Sequence, residues 1–293
     1  MSDYIPDTTP PSVEVAISKV GADGWYGAGA TATLSATDDD SGVETIEYRL
    51  EGAGWTPYSA GVVLPEGRYT LEYRATDGAG NTSEVQSKLL AVDETDASVW
   101  GWLDLDGRLT VVARDALSGV SGVEYSLDGE TWTASMADLG IAPTSVQVRA
   151  SDVAGNLGDP LVLGSSSDSP ILTVEPGEVL VIDRSGFAPG EKVRVELHSD
   201  PVVLGSVTAS ADGLVHLTVT IPEAVPAGAH SLVFVVAGDD PGTVPVVRGP
   251  TSADILPGLV IAAILLVIGA GLILILILIR SRGKKDAAQT DPA

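Results

Sequence analysis

Residues 38–55 read DDDSGVETIEYRLEGAGW, and residues 115–132 read DALSGVSGVEYSLDGETW. Asp38, Ser41, Gly42, Val43, Glu47, Tyr48, Leu50 and Trp55 return as Asp115, Ser118, Gly119, Val120, Glu124, Tyr125, Leu127 and Trp132, at a constant offset of 77 residues. A second pair, RATDGAGN at 74–81 and RASDVAGN at 149–156, recurs at an offset of 75. The two residues lost between the pairs fall where a length change suits a connection better than a paired strand. Self-similarity at this period marks a tandem repeat. The copies are taken as residues 7–92 and 93–165.

Outward from the repeat, apolar residues alternate with a period of two: Val13, Val15 and Ile17, then Ala32, Leu34 and Ala36, then Tyr69, Leu71, Tyr73 and Ala75. Period-two alternation puts one face of a strand in a core and the other in water. Residues 166–250 lack the repeat motifs but keep the pattern, with Val193, Val195 and Leu197 set against Lys192, Arg194 and Glu196. Val215, Leu217, Val219 and Ile221 likewise alternate with His216, Thr218 and Thr220. The 33 Gly and 18 Pro supply turns between short strands. The predicted fold is all-β: three tandem immunoglobulin-like β-sandwich modules (7–92, 93–165 and a membrane-proximal 166–250) followed by a single transmembrane α-helix.

The helix is predicted from LVIAAILLVIGAGLILILILI, which begins at Leu259, ends at Ile279 and has no charge in 21 residues. As a helix it would span about 31 Å at about 1.5 Å per residue, the thickness of a bilayer's hydrocarbon core. Arg280, Arg282, Lys284 and Lys285 follow at once, whereas Asp254 precedes it. The positive-inside rule then puts residues 281–293 in the cytoplasm as a basic tail, with the helix at 255–280 and the N-terminal region outside the cell. The start, MSDYIPDTTPPS, has neither the basic nor the apolar part of a signal peptide. A chain exported in this orientation is therefore expected to be part of a longer secreted protein; the competing reading is a tail-anchored protein facing the cytoplasm.

The net charge of −24 argues against a nucleic-acid partner, because such binding neutralises phosphates with Lys and Arg. With no cysteine in the chain, stability must come from packing and not from disulfides.

The pattern D-x-x-S-G-V, then Y-x-L-x-G with a following Trp, then R-A-x-D-x-A-G-N, resembles the bacterial immunoglobulin-like repeats of large surface proteins and secreted enzymes, especially those of actinobacteria. Residues 166–250, with Ser185-Gly186-Phe187-Ala188-Pro189-Gly190-Glu191 and Pro226-Ala227-Gly228-Ala229-His230, are similar to the module that often precedes their C-terminal membrane anchor. The resemblance implies spacers or adhesive elements that carry another domain.

Carboxylates gather at two turns: Asp38, Asp40 and Asp77 with Asn81 in the first copy, and Asp115 and Asp152 with Asn156 in the second. Oxygen donors of this kind suit calcium, which takes six to eight of them. The leading reading is that Asp and Asn cap the turns through local hydrogen bonds, with no cofactor at all, and calcium is the alternative. Asp93-Glu94-Thr95-Asp96 adds to the calcium side. Trp55 and Trp132, and the pair Trp100 and Trp102, are expected to fill or cover sandwich cores. His198, His216 and His230 are expected on wet strand faces, and no catalytic motif accompanies them. The function expected is a non-enzymatic, membrane-anchored surface stalk, held in the lipid bilayer through the stretch from Leu259 to Ile279. Two alternatives stand beside it: the anchor region of a larger exported enzyme such as a hydrolase, and an adhesin binding an envelope polysaccharide or a surface protein.

Overall fold

The computed structural model describes residues 6–139, 144–166, 171–198, 201–225, 229–236 and 274–279. The chain divides into two compact units. The first takes Met1–Ala97 together with two turn segments from farther on, Asp115–Ser121 and Ser151–Gly158. The second takes Ser98–Arg114, Gly122–Ala150 and Asp159–Ala293.

The first unit holds strands β1 (Ser12–Ile17), β2 (Trp25–Tyr26), β3 (Thr31–Thr37), β4 (Val43–Leu50), β5 (Thr56–Pro57), β6 (Val62–Val63), β7 (Gly67–Asp77) and β8 (Gln86–Val92). They form two sheets, β1-β3-β6 and β2-β8-β7-β4-β5. Alternation decides which side chains meet between them: Val13, Ala32, Leu34, Leu71, Tyr73, Ala75, Leu90 and Val92 are buried in one core, and Tyr48 packs against it. This is a two-sheet sandwich in which each sheet keeps one wet face.

In the second unit lie β9 (Ser98–Leu103), β10 (Leu109–Arg114), β11 (Val120–Ser126), β12 (Ser145–Asp152), β13 (Leu161–Gly164), β14 (Ile171–Val174) and β15 (Val179–Arg184). They are followed by β16 (Lys192–His198), β17 (Val202–Thr208), β18 (Val215–Thr220), β19 (Ala229–Val236) and β20 (Leu274–Ile279). β11 and β12 run at one end into the turn segments of the first unit. The sheets are β18-β15-β10-β9, β11-β12-β13 and β14-β20-β19-β16-β17.

β10 of the second copy pairs antiparallel with β15 of the following stretch, Val112 opposite Ile182. The sequence boundary at 165/166 therefore runs through a single sheet. That sheet is a middle layer. On one side Val112, Leu180, Ile182, Val215 and Val219 share a core with Val193, Val195, Leu197, Leu232 and Phe234. On the other, the Tyr125 hydroxyl of β11 donates to Asp183 Oδ2 at 2.5 Å. The five residues from Leu109 to Ala113 are accordingly all buried. Arg184 closes the seam: its guanidinium donates to Thr110 Oγ1 at 2.8 Å and lies 4.7 Å from the Phe234 ring. Burial pulls the Arg184 pKa down to about 9, with the Asp104 charge acting in the opposite direction.

Of the predicted membrane span, residues 259–273 and the tail 281–293 lie outside the described residues. Its last six, Leu274–Ile279, form β20, parallel to β14 and antiparallel to β19. Ile at alternate positions suits a strand, and where an apolar helix was expected the segment fills the place between β14 and β19. Among the described residues no helix is long and apolar enough to cross a membrane.

Candidate cation-binding clusters

Both candidate sites belong to the first unit, and both are built from three turns. In the first, Asp38 follows β3 and curls the chain back, its Oδ1 accepting the N–H groups of Ser41 at 2.9 Å and Gly42 at 2.8 Å. Asp77 ends β7; its Oδ1 accepts from the Ala79 and Asn81 main chain at 2.9 and 2.8 Å, and its Oδ2 from Asn81 Nδ2 at 2.8 Å. Asp7, just ahead of β1, turns through Thr9 N–H at 2.9 Å, and its carbonyl accepts from Asn81 Nδ2 at 3.2 Å. One carboxylate oxygen each from Asp7, Asp38 and Asp77 lies within 4.8 Å of the other two.

The second cluster reproduces this wiring. Asp93 turns through Thr95 N–H at 3.0 Å, and its carbonyl accepts from Asn156 Nδ2 at 2.9 Å. Asp115 Oδ1 accepts from Leu117 and Gly119 at 3.0 and 2.7 Å. Asp152 takes the Asn156 N–H on Oδ1 at 2.8 Å and its Nδ2 on Oδ2 at 2.7 Å. Asp93, Asp115 and Asp152 again bring one oxygen each within 4.8 Å.

Four of the seven predicted ligands, Asp38, Asp77, Asp115 and Asp152, sit in these trios. Asn81 and Asn156 are braces instead: each amide ties one aspartate side chain to another aspartate's main chain. Asp40 is exposed, offers its N–H to Asp38 Oδ1 at 3.3 Å, and lies outside the trio. Asp7 was missed, and Asp93, which the sequence offered only within the 93–96 stretch, joins the second trio as a full member. Their signal was an offset of 86 that also relates Thr9 to Thr95 and Ser12 to Ser98, hidden by anchoring the repeat on the offset of 77.

Local donors do not account for every carboxylate oxygen. Asp7 Oδ2 and Asp115 Oδ2 are buried with no hydrogen-bond partner. Leaving a buried polar atom unpaired is costly, and three gathered carboxylates add mutual repulsion. A hard divalent cation answers both, and the donor set is all oxygen, as calcium requires. The clusters differ electrostatically. For Asp77, burial pushes the pKa up but the hydrogen bonds from Asn81, Ala79 and Gly80 outweigh it and hold it below the usual value. For Asp152, burial wins over the Asn156 bonds, the Asp93 charge adds to it, and the pKa is raised.

The tryptophans divide. Trp102 is buried in the second unit, its indole N–H donating to the Ser166 carbonyl at 3.1 Å. Trp55 instead stacks on Arg49 and Arg74, 4.5 and 4.3 Å from the guanidinium carbons, which pair with Glu72 and Glu47. Trp132 covers Arg149 at 3.9 Å, and Arg149 pairs with Glu124. Both are lids over charged pairs on a sheet's outer face and not core fillers. His216 is exposed, as expected, with Nδ1 2.5 Å from Asp183 Oδ1; His198 is partly exposed, with Nε2 2.6 Å from Glu196 Oε2; His230 instead is buried.

No protein-family model matches the chain. It is 35% identical over 81 residues to a protein of Renibacterium salmoninarum that carries the name endo-alpha-N-acetylgalactosaminidase. The likeness takes in 28% of this chain and 5% of that protein, so the chain spans a small fraction of that relative's length. Among solved structures, fibronectin(III)-like modules of Clostridium thermocellum CbhA match at 17% identity and a TM-score of 0.33, over 51% of this chain and 92% of theirs. A 1.5-MDa bacterial ice-binding adhesin matches at 16% identity and a TM-score of 0.26, over 78% and 93%. A Ca2+-stabilized adhesin of an Antarctic bacterium matches at 17% identity and a TM-score of 0.27, over 80% and 71%.

Proposed function

We propose that the chain is a non-catalytic, cation-stiffened stalk of a bacterial surface protein. The observation that carries this reading is the duplicated carboxylate trio, each copy with a buried oxygen that no local donor satisfies. Asp7, Asp38 and Asp77 would hold one calcium ion, and Asp93, Asp115 and Asp152 a second. Each trio ties the chain at the entrance of a repeat to two turns of that same repeat, so an ion there would fix where the repeat begins.

In this reading the stretch from Leu259 to Ile279 anchors the chain in the cell membrane, with the repeats outside and the basic tail inside. Insertion would place Leu274–Ile279 in a helix instead of β20, because a single span in lipid must satisfy its own backbone groups. The stalk would present a distal domain or an adhesive face to envelope polysaccharide or to another surface protein.

The test is calcium titration of the full chain in detergent after chelator treatment. Saturable heat and a rise in melting temperature are expected, since a ligand that prefers the native state stabilises it by about 2.7 kcal/mol at 100 times its Kd. Absence of saturable heat at millimolar calcium would overturn the cation reading. For topology, a lone cysteine at Ser87 should react with an impermeant maleimide on intact cells and one at Ser281 should not; the reverse pattern would sink the orientation.

A second reading is favoured by the 81-residue likeness to a much longer protein named as a glycosidase. The repeats would then carry the catalytic domain of an exported hydrolase.

A further inference from the structure

The two copies of the D-x-A-G-N turn differ in what covers them. In the second copy Ala154 is only 3% exposed and Asn156 is 7% exposed; their equivalents Ala79 and Asn81 are exposed and half-buried. The cover is residues 18–30 of the first copy, the connection that contains β2. Ala22 N–H donates to the Val153 carbonyl at 2.8 Å, and Ala28 N–H to Asn156 Oδ1 at 2.8 Å. Gly21 and Gly27 make the approach feasible: a Cβ at Gly21 would lie 2.5 Å from the Ala154 carbonyl oxygen, and one at Gly27 2.8 Å from the same atom. The pair is a loop and its socket.

Loop and socket are distributed unevenly along the chain. Residues 18–30 join β1 to β3, whereas the corresponding connection in the second copy, β9 to β10, is cut to residues 104–108. The second copy thus has a socket and no loop, and it is followed by a stretch without the socket motif. The first copy has both. Its loop is used on the second copy, while its own socket, the Gly78 carbonyl, Ala79 and Asn81, is built the same way, down to the Asn81 amide bonds to Asp77 and the Asp7 carbonyl.

We infer that the turn at residues 77–81 is a docking socket for the glycine loop of another repeat of this kind, placed directly upstream in the polypeptide. Asn81 Oδ1 would accept the N–H that corresponds to Ala28, the Gly78 carbonyl that of Ala22, and the Ala79 methyl would be buried as Ala154 is. A second copy of this chain would not serve, because its loop already occupies its own second repeat. The inference rests on the loop contacts alone and stands whether or not the carboxylates bind calcium.

The experiment inserts an extra copy of residues 6–92 directly before Asp7, so that Val92 is followed by Asp7 as it is naturally by Asp93. The chain has no cysteine, so single-cysteine labelling is clean. Cysteine at Ala79 should react with maleimide freely in the parent chain and at least tenfold more slowly in the extended chain. Without any cysteine, amide exchange in the extended chain should show Ala22 and Ala28 of the added copy as slow as those of the original. Gly27→Val in the added copy alone should restore both fast labelling and fast exchange. An added copy that is folded, shown by slow exchange in its β7 and β8, yet leaves Ala79 reactive and its own Ala22 and Ala28 fast would overturn the proposal.

Discussion

The two repeats share a motif set and a carboxylate trio, yet they are built into the molecule in opposite ways. The first closes its sandwich with its own eight strands. The second spends β9 and β10 on a sheet completed by β15 and β18, and its turns count with the first unit. Equal motifs fix equal turns, because a turn is a local affair of Asp side chains and nearby N–H groups. Which sheet a strand joins is decided by apolar surface, and there the copies diverge.

Deletion sharpens this contrast most. Removing residues 93–165 takes β9 and β10 from the middle sheet, Val112 from the shared core and the Tyr125 layer from Asp183, so the remainder of the second unit should lose its cooperative melting transition altogether. Removing residues 6–92 should leave that transition in place. A deletion of 93–165 whose downstream stretch still melts cooperatively would show the second copy to be as separable as the first.

The next effect is at the loop. Gly27→Val puts a side chain against the Ala154 carbonyl and should cost about 1–3 kcal/mol, the usual range for overpacking. Calorimetric melting should show it, with fast amide exchange confined to Ala22 and Ala28.

An effect of the same order separates the equivalent tyrosines. Tyr125 gives its hydroxyl to the buried carboxylate Asp183, and burial together with the Asp183 charge raises the tyrosine's pKa well above the usual value. Tyr125→Phe strips Asp183 of a donor and should cost about 1–3 kcal/mol. Tyr48 packs against the first core without such a carboxylate among the described residues, and Tyr48→Phe should change denaturant stability by less than about 0.5 kcal/mol. Equal losses at both positions would break the distinction.

The smallest effect is a difference of sign in the metal-free chain. The lowered pKa of Asp77 means that its contribution is present above the unfolded value and lost as pH falls through the folded one. The raised pKa of Asp152 means the reverse: protonation favours the fold, and stability is gained as pH falls through its folded pKa. Carboxyl carbon shifts in a pH titration should order the two, Asp77 below the ordinary aspartate value and Asp152 above it. Identical midpoints would remove the asymmetry.

How much of this was legible in the sequence depends on the same division. Leu71, Tyr73 and Ala75 announced β7 because the strand has one wet face. β10 and β15 gave no alternation because residues 109–113 and 180–184 are buried on both faces, so a run such as Leu109-Thr110-Val111-Val112-Ala113 carries no mark of which layer lies on which side. Asp38, Asp77, Asp115 and Asp152 could be read because they stand inside the motifs. Asp7 and Asp93 stand outside them, related to each other by the offset of 86, and it is the fold that returns each chain entrance to the end of β7 or β12. That Asn81 and Asn156 bond within their turns was one of the two readings the sequence left open; their reach to the Asp7 and Asp93 carbonyls was not readable, since those residues are distant in the chain.

The pairing of β10 with β15 also sets how a gene for such a protein can change. A crossover at the Val92–Asp93 junction, or at its counterpart ahead of Asp7, inserts or removes whole copies of the first kind without cutting a sheet. A crossover at the 165/166 boundary would divide the β10–β15 ladder between two products. Copies of the first kind can thus be gained or lost without breaking a sheet, while the second copy and its downstream neighbour must move as one piece.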